Sequence, residues 1–272
     1  MKRSVIITVV LAVILSLGTV YAAPAKDGEW DYIETFDDIN SVNDNFDFYF
    51  TSTQYDRRAE TLEKNWTLSD GTIKRTKNID KGGSTVNIAI MTCVYDVYDN
   101  FELSVDFKAG QETLFWPVVG IRQQIPGKYY LTDGGGAGVF MQQSGLITMW
   151  GPIVKGNKDG HLFEDKIPNS SGYDPRQWHN MHIYANGTDV TVYIDDTEVL
   201  KTSVKSTDYE KGYISLISVN NDCEFDNFKI RALGSSSKAG IEINHSKYAE
   251  LGQSLDDIIK NGYSKQKATV NN

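Results

Sequence analysis

The segment from Phe115 to Trp150 is dense in flat rings and hydrogen-bonding side chains: Trp116, Arg122, Gln124, Tyr129, Tyr130, Gln142, Gln143 and Trp150, with Asp133 and Gly134-Gly135-Gly136 between them. These residue types suit sugar recognition. Aromatic faces stack on the apolar side of a pyranose, while amides, carboxylates and guanidinium groups bond its hydroxyls. On a strand over 115–124 the even positions Trp116, Arg122 and Gln124 share one face, and Gln142 can face the same way from a neighbouring strand. That would assemble a concave polar-aromatic surface. Rings of this kind also serve as core or rim in a sandwich, and Trp116, Tyr129, Tyr130 and Trp150 admit both readings.

Other chemistries find less support. His161, His179 and His182 lack ligand spacing and read as structural histidines with local partners. There is no zinc-type Cys/His cluster. The triple glycine lacks the following Lys-Ser/Thr of a phosphate loop.

The elements that must position these residues are strands. Phe101, Leu103, Val105 and Phe107 alternate with Glu102, Ser104, Asp106 and Lys108, so one face is buried and the other wet. Met181, Ile183 and Ala185 alternate likewise, Asn186-Gly187 supplies the positive φ angles of a tight hairpin, and Val190, Val192 and Ile194 return. Apolar parity shifts from Phe225 to Phe228 and Ile230, which predicts a β-bulge near Asp226-Asn227. Further strand-like runs lie at Ile33–Phe36, Phe46–Phe50, Trp66–Arg75, Val86–Cys93, Gly138–Gln142 and Leu146–Trp150, punctuated by Gly, Asn and Asp. The expected fold is all-β: a two-sheet antiparallel jelly-roll sandwich. Leu251, Leu255, Ile258 and Ile259 stripe a helix over Lys247–Lys260, with Ser246 as N-cap.

The run Trp178-His179-Asn180-Met181 to Thr188, the strand Gly212-Tyr213-Ile214-Ser215-Leu216 and the closing Phe225-Asp226-Asn227-Phe228-Lys229-Ile230 resemble the last strands of concanavalin A-like domains. Asn65-Trp66-Thr67, Asp70-Gly71-Thr72-Ile73 and Tyr98 to Phe107 extend the likeness upstream. The pattern is closest to 3-keto-disaccharide hydrolase domains, often labelled family-16-like glycoside hydrolases, and to laminin-G-like carbohydrate-binding modules. Trp66 and Trp178 match fold-signature positions and read as core or rim.

The resemblance implies particular acids. Glycosidases commonly set two carboxyl groups around the scissile bond. The E-x-D-x-x-E strand of family 16 has its nearest match in Glu224-Phe225-Asp226, followed by Asn227, Phe228 and Lys229, so the second glutamate is missing. The E-W or E-F and G-x-E-x-Q positions of the keto-disaccharide domains fall at Asp106-Phe107 and Gly138 to Gln142, with one acid shortened and the other absent. Acids from loops, such as Asp133, Asp159 or Glu164, remain open. Related sandwiches also tie the first strand to the last through a structural Ca2+, which places Asp37, Asp38 and Asp226 as ligands by resemblance.

Lys2-Arg3, the apolar run Val5 to Leu17 and small residues up to Ala22 form a secretory signal peptide with cleavage before Ala23. The expected domains are therefore 1–22 signal, 23–233 sandwich, and 234–272 polar linker with the C-terminal helix. Without Lys2 and Arg3, the 27 basic residues become 25 against 36 acidic, a formal charge of −11. That charge repels phosphate backbones and anionic lipids, excluding nucleic acid, and membrane after cleavage, as expected partners. Cys93 and Cys223 pair in an oxidising compartment or stand as buried free thiols. The leading expectation is a secreted, extracellular protein that binds a poly- or oligosaccharide. A glycoside hydrolase of the same fold and a wall or matrix protein-interaction module are the alternatives.

Overall fold

The computed structural model describes residues 29–52, 55–80, 85–110, 115–132, 134–151, 173–203 and 211–234. The expected signal peptide and the Lys247–Lys260 helix lie outside them. Chain order begins β1 (Tyr32–Glu34), α1 (Ile39–Asn45), β2 (Phe46–Ser52), β3 (Tyr55–Glu60), β4 (Trp66–Ser69), β5 (Thr72–Arg75), β6 (Asn87–Tyr98), β7 (Phe101–Lys108) and β8 (Pro117–Gln123). It continues with β9 (Ala137–Met141), β10 (Ile147–Trp150), β11 (His179–Asn186), β12 (Asp189–Ile194), β13 (Thr197–Ser203), β14 (Gly212–Val219) and β15 (Glu224–Ala232). A 3-10 turn, Leu62–Lys64, sits between β3 and β4.

The strands form two antiparallel sheets. One runs β13-β12-β11-β7-β15-β5-β4, with β1 also paired to β15; the other runs β10-β9-β8-β14-β6-β2-β3. Between them lies a single apolar core that includes Phe101, Leu103, Val105 and Phe107 of β7, Met181, Ile183 and Ala185 of β11, and Val119 and Ile121 of β8. The alternation of β7 and the β11–β12 hairpin is thus realised as expected. Trp66 is buried in this core, whereas Trp178 is an exposed rim residue with Lys108 Nζ 4.8 Å from its ring centroid.

The bulge is present. The β15–β7 register shifts between Asp226 and Lys229, and Asn227 takes φ 49°. The β11–β12 turn differs by one residue from expectation: Asn186 pairs with Asp189, so Gly187-Thr188 are central, and of these only Gly187 has positive φ. Positive φ at the first central residue alone matches a II′ turn. Trp66–Arg75 is two strands, because Asp70 and Gly71 both take positive φ and close a two-residue hairpin. Asp195-Asp196 does the same between β12 and β13. The short helix α1 went unforeseen; Asp38 caps it, its carboxylate accepting from Asn40 N at 2.9 Å.

Cys93 and Cys223 are free and buried in the inter-sheet core. Burial pushes both thiols up to about 12.

Candidate functional site

The aromatic candidates gather on the outer face of the seven-stranded sheet. Strand parity sends Val119 and Ile121 inward and leaves Trp116 and Val118 outward, where they join Ile88 and Ile90 of β6, Ile217 and Val219 of β14, Phe140 of β9 and Trp150 of β10. Trp116 stacks on Phe140 at 4.9 Å and 8°, and Trp150 meets Phe140 edge-on at 5.3 Å. Tyr130 leans on Phe140 at 5.8 Å, and Tyr129 on Tyr130 at 4.4 Å. This is one continuous aromatic assembly.

It is also covered. Trp116 is 6%, Trp150 2%, Tyr129 4% and Tyr130 0% exposed. The loop that follows β8 folds back over the sheet, with Gln124 N and Ile125 N both donating to Gly134 O at 2.8 and 3.1 Å. Gln123 Oε1 accepts from Thr92 Oγ1 at 3.0 Å, Ser215 Oγ at 2.7 Å and Gly127 N at 3.2 Å, pinning the loop to three strands. The glycine run permits the closure: a Cβ on Gly135 would stand 2.0 Å from Tyr129 O. The four rings are therefore a packed floor and cover.

The polar candidates are held by their surroundings. Arg122 takes φ 55°, which breaks strand parity, so its side chain leaves the face assigned from sequence. Its Nη2 donates to Asp99 O at 3.1 Å and to Gly187 O, tying two turns together, while Gln123 occupies the outward place. Gln124 Nε2 donates to Arg122 O at 3.0 Å and to Lys211 O. Gln142 Nε2 donates to Thr148 Oγ1 at 2.9 Å. Gln143 is exposed, and Asp133 lies outside the described residues.

Solvent reaches this face at its other end, through residues the sequence reading passed over. Asp47 and Arg57 are exposed, and Tyr49 and Tyr213 are half-buried. Tyr49 OH donates to Asp47 Oδ2 at 3.2 Å, and the Arg57 guanidinium lies 5.1 Å from the Tyr49 ring centroid. Burial, then the Asp47 charge, push the Tyr49 phenol up to about 12. The outward Asp-x-Tyr alternation along Phe46–Phe50 was the available signal.

The acids implied by the resemblance do not converge. Asp106 points outward from the eight-stranded sheet, where Asn180 Nδ2 and Asn227 Nδ2 donate to it at 2.7 and 2.9 Å. The glutamate position of the G-x-E-x-Q segment is occupied by Phe140, in the aromatic assembly on the outer face of the other sheet. The whole inter-sheet core separates the two positions, so they cannot flank one glycosidic bond. Glu224 is paired with Lys74 at 2.8 Å and Lys108 at 3.1 Å. Burial raises its pKa, but the two ammonium groups outweigh it and hold the carboxyl below its usual range. Strands β8, β9, β10 and β14, which underlie the aromatic assembly, contain no aspartate or glutamate.

The carboxylates Asp37, Asp38 and Asp226 do not form a calcium ligand set as they stand. Asp38 serves as the cap of α1, and Asp37 packs against the Asp70-Gly71 turn. Asp226 sits at the bulge, its pKa raised by burial and by the charges of Asp106 and Asp37. Among the described residues no group of three or more acidic, imidazole or thiol side chains is placed to hold a metal ion.

His179 and His182 are held by structural partners. His179 bonds Asp195 Oδ2 at 2.7 Å and Asp174 O at 2.8 Å, and His182 Nε2 lies 2.8 Å from Glu102 Oε1. His161 is outside the described residues.

Residues 51–231 match the family model for the 3-keto-alpha-glucoside-1,2-lyase-like domain. The chain belongs to this family. No curated protein matches it significantly. Among solved structures, one from work on the endo-acting O-glycanases that prominent human gut bacteria express to initiate mucin breakdown is 12% identical. It covers 76% of this chain and 100% of its own, with a TM-score of 0.50. The carbohydrate-binding module CBM66 from Bacillus subtilis is 11% identical, covering 67% of this chain and 94% of its own at a TM-score of 0.45. The Ca2+/Man3GlcNAc-bound exoplasmic domain of VIP36 is 12% identical, covering 74% and 86% at a TM-score of 0.45. At these identities the likeness is one of fold, the jelly-roll sandwich, which serves binding modules and hydrolases alike. The family match and the two-sheet topology make this a jelly-roll sandwich of the 3-keto-alpha-glucoside-1,2-lyase-like family.

Proposed function

We propose that this is a secreted carbohydrate-binding protein that holds an extracellular poly- or oligosaccharide without cleaving it. The observation that carries the reading is that Asp106 and Phe140, the two acid positions of the resemblance, stand on opposite outer faces with the core between them, and that Asp47 is the one carboxylate among the solvent-reached groups of the aromatic face. A glycosidase of the two-carboxylate kind needs both groups within reach of one bond. Binding needs only rings and hydrogen-bonding groups.

The sugar docks on the outer face of the seven-stranded sheet. Asp47, Tyr49, Arg57 and Tyr213 are the groups that solvent and hence the sugar reach; Trp116, Tyr129, Tyr130 and Trp150 are the packed support beneath that face, and Arg122, Gln124 and Gln142 brace its loops. Export follows from Lys2-Arg3 and the apolar run to Leu17.

The test is an insoluble-polysaccharide pull-down and glycan array on residues 23–272, followed by assay of each hit for reducing ends. Retention without cleavage, weakened by Arg57→Ala or Tyr213→Ala, is the expected result. Cleavage abolished by a single carboxylate substitution makes the protein a hydrolase. Retention on a protein partner that soluble oligosaccharide fails to displace makes it an interaction module.

A further inference from the structure

A groove of about 700 Å³ opens beside β3, the edge strand of the seven-stranded sheet, lined by Arg58, Ala59, Glu60, Thr61, Lys64 and Asn78. Its volume lies within the range of small-ligand sites, roughly 300–1,000 Å³. No aromatic ring lines it, so it has nothing on which to stack a neutral sugar.

Its charge is unbalanced. Arg58 Nε pairs with Glu60 Oε1 at 2.7 Å, and the other Glu60 oxygen accepts from Asn65 Nδ2 at 2.5 Å. Glu60 is thereby spent. Lys64 is exposed, and its ammonium makes no ion pair among the described residues. Behind the wall lies a third cation, Arg75, fully buried over the rings of Phe50 and Trp66 at 5.7 and 6.0 Å. Arg75 Nε donates to Lys77 O at 2.7 Å and Nη2 to Asn78 O at 3.0 Å, while Nη1 has no hydrogen-bond partner. Burial lowers its pKa to about 10. Its nearby carboxylate, Glu60, is already paired with Arg58, so a further anion near this buried guanidinium offsets part of the cost of withdrawing it from water. Three cations thus face one carboxylate, on a chain whose formal charge is −9. A local positive field on an acidic protein selects anions at that place.

We infer that this groove is a second saccharide site, specific for a sugar that carries a carboxylate. The carboxylate docks on Lys64 and the outer edge of Arg58, drawn by the Arg75 charge behind them, and the ring hydroxyls meet Thr61 and the Asn78 carbonyl. The inference rests on membership of a carbohydrate-active family and not on the neutral aromatic face, which can fail while this site stands.

The experiment is titration calorimetry of the mature chain with a galacturonate trimer, maltotriose and sodium sulfate, at low and at physiological salt. Wild-type protein should bind the galacturonate trimer at least tenfold more tightly than maltotriose, with affinity falling as salt rises. Lys64→Glu should remove most of that binding while leaving the melting temperature unchanged, because the side chain is exposed; Arg58→Ala should weaken it several-fold. Absence of trimer binding, or equal binding by wild type and Lys64→Glu, overturns the site. Sulfate competing as well as the trimer reduces it to a simple anion site and overturns the saccharide assignment.

Discussion

Gly127 is the residue on which the cover of the aromatic face turns. It takes φ 74°, and a Cβ there would stand 2.1 Å from Cγ of Tyr49. Gly127→Ala therefore has three consequences. The left-handed conformation costs a residue with a side chain about 1–2 kcal/mol. Lifting the loop to clear Tyr49 breaks the Gly127 N–H bond to Thr92 Oγ1 and Gln123 Oε1, about 1 kcal/mol. Residual overpacking against Tyr49 adds about 1–3 kcal/mol. Together these give about 3–6 kcal/mol, a large share of the 5–15 kcal/mol typical of a domain.

Gly187→Ala is the matched control. It too has positive φ, at 55°, but nothing lies within 4 Å of its Cβ, so only the conformational cost of about 1–2 kcal/mol applies. Urea unfolding followed by tryptophan fluorescence reads both. Equal destabilisation by the two substitutions would refute the seating of the loop on the sheet.

Other consequences are direct. Trp150→Ala should destabilise the fold by about 3–5 kcal/mol as a buried ring is deleted, which urea unfolding measures before any binding assay is interpreted. Folding favours protonated Asp226, so its contribution is present at low pH and lost as pH rises through its raised folded-state pKa. Asp226→Asn should accordingly raise the melting temperature at neutral pH, and the advantage should vanish in acid. Millimolar Ca2+ should leave the wild-type melting temperature unchanged; a rise abolished by Asp226→Asn would establish a calcium site there. Native protein should not react with a thiol reagent at neutral pH, and two thiols should appear on unfolding, because Cys93 and Cys223 are buried with pKa values near 12.

The sandwich was legible because period-two alternation along β7, β11 and β12 states which face is dry. The bulge at Asp226-Asn227 was legible for the same reason, since a parity change has no other explanation in a strand. Arg122 was misplaced because parity assumes unbroken strand geometry, and its φ of 55° is a backbone event with no composition signature. Trp116, Tyr129, Tyr130 and Trp150 share one cluster, but their burial was not readable. Whether a ring is platform or floor depends on where the next loop goes, and the Gln123–Thr92–Ser215 anchor joins residues far apart in sequence. The basic groove was invisible for a related reason: Arg58, Lys64 and Arg75 come from three separate elements.

The most direct test of the central claim is to incubate the purified mature chain with each polysaccharide that retains it and to quantify reducing ends over time. The account predicts firm retention and no release above a protein-free control. Sustained release that disappears on replacing one carboxylate with its amide would contradict it.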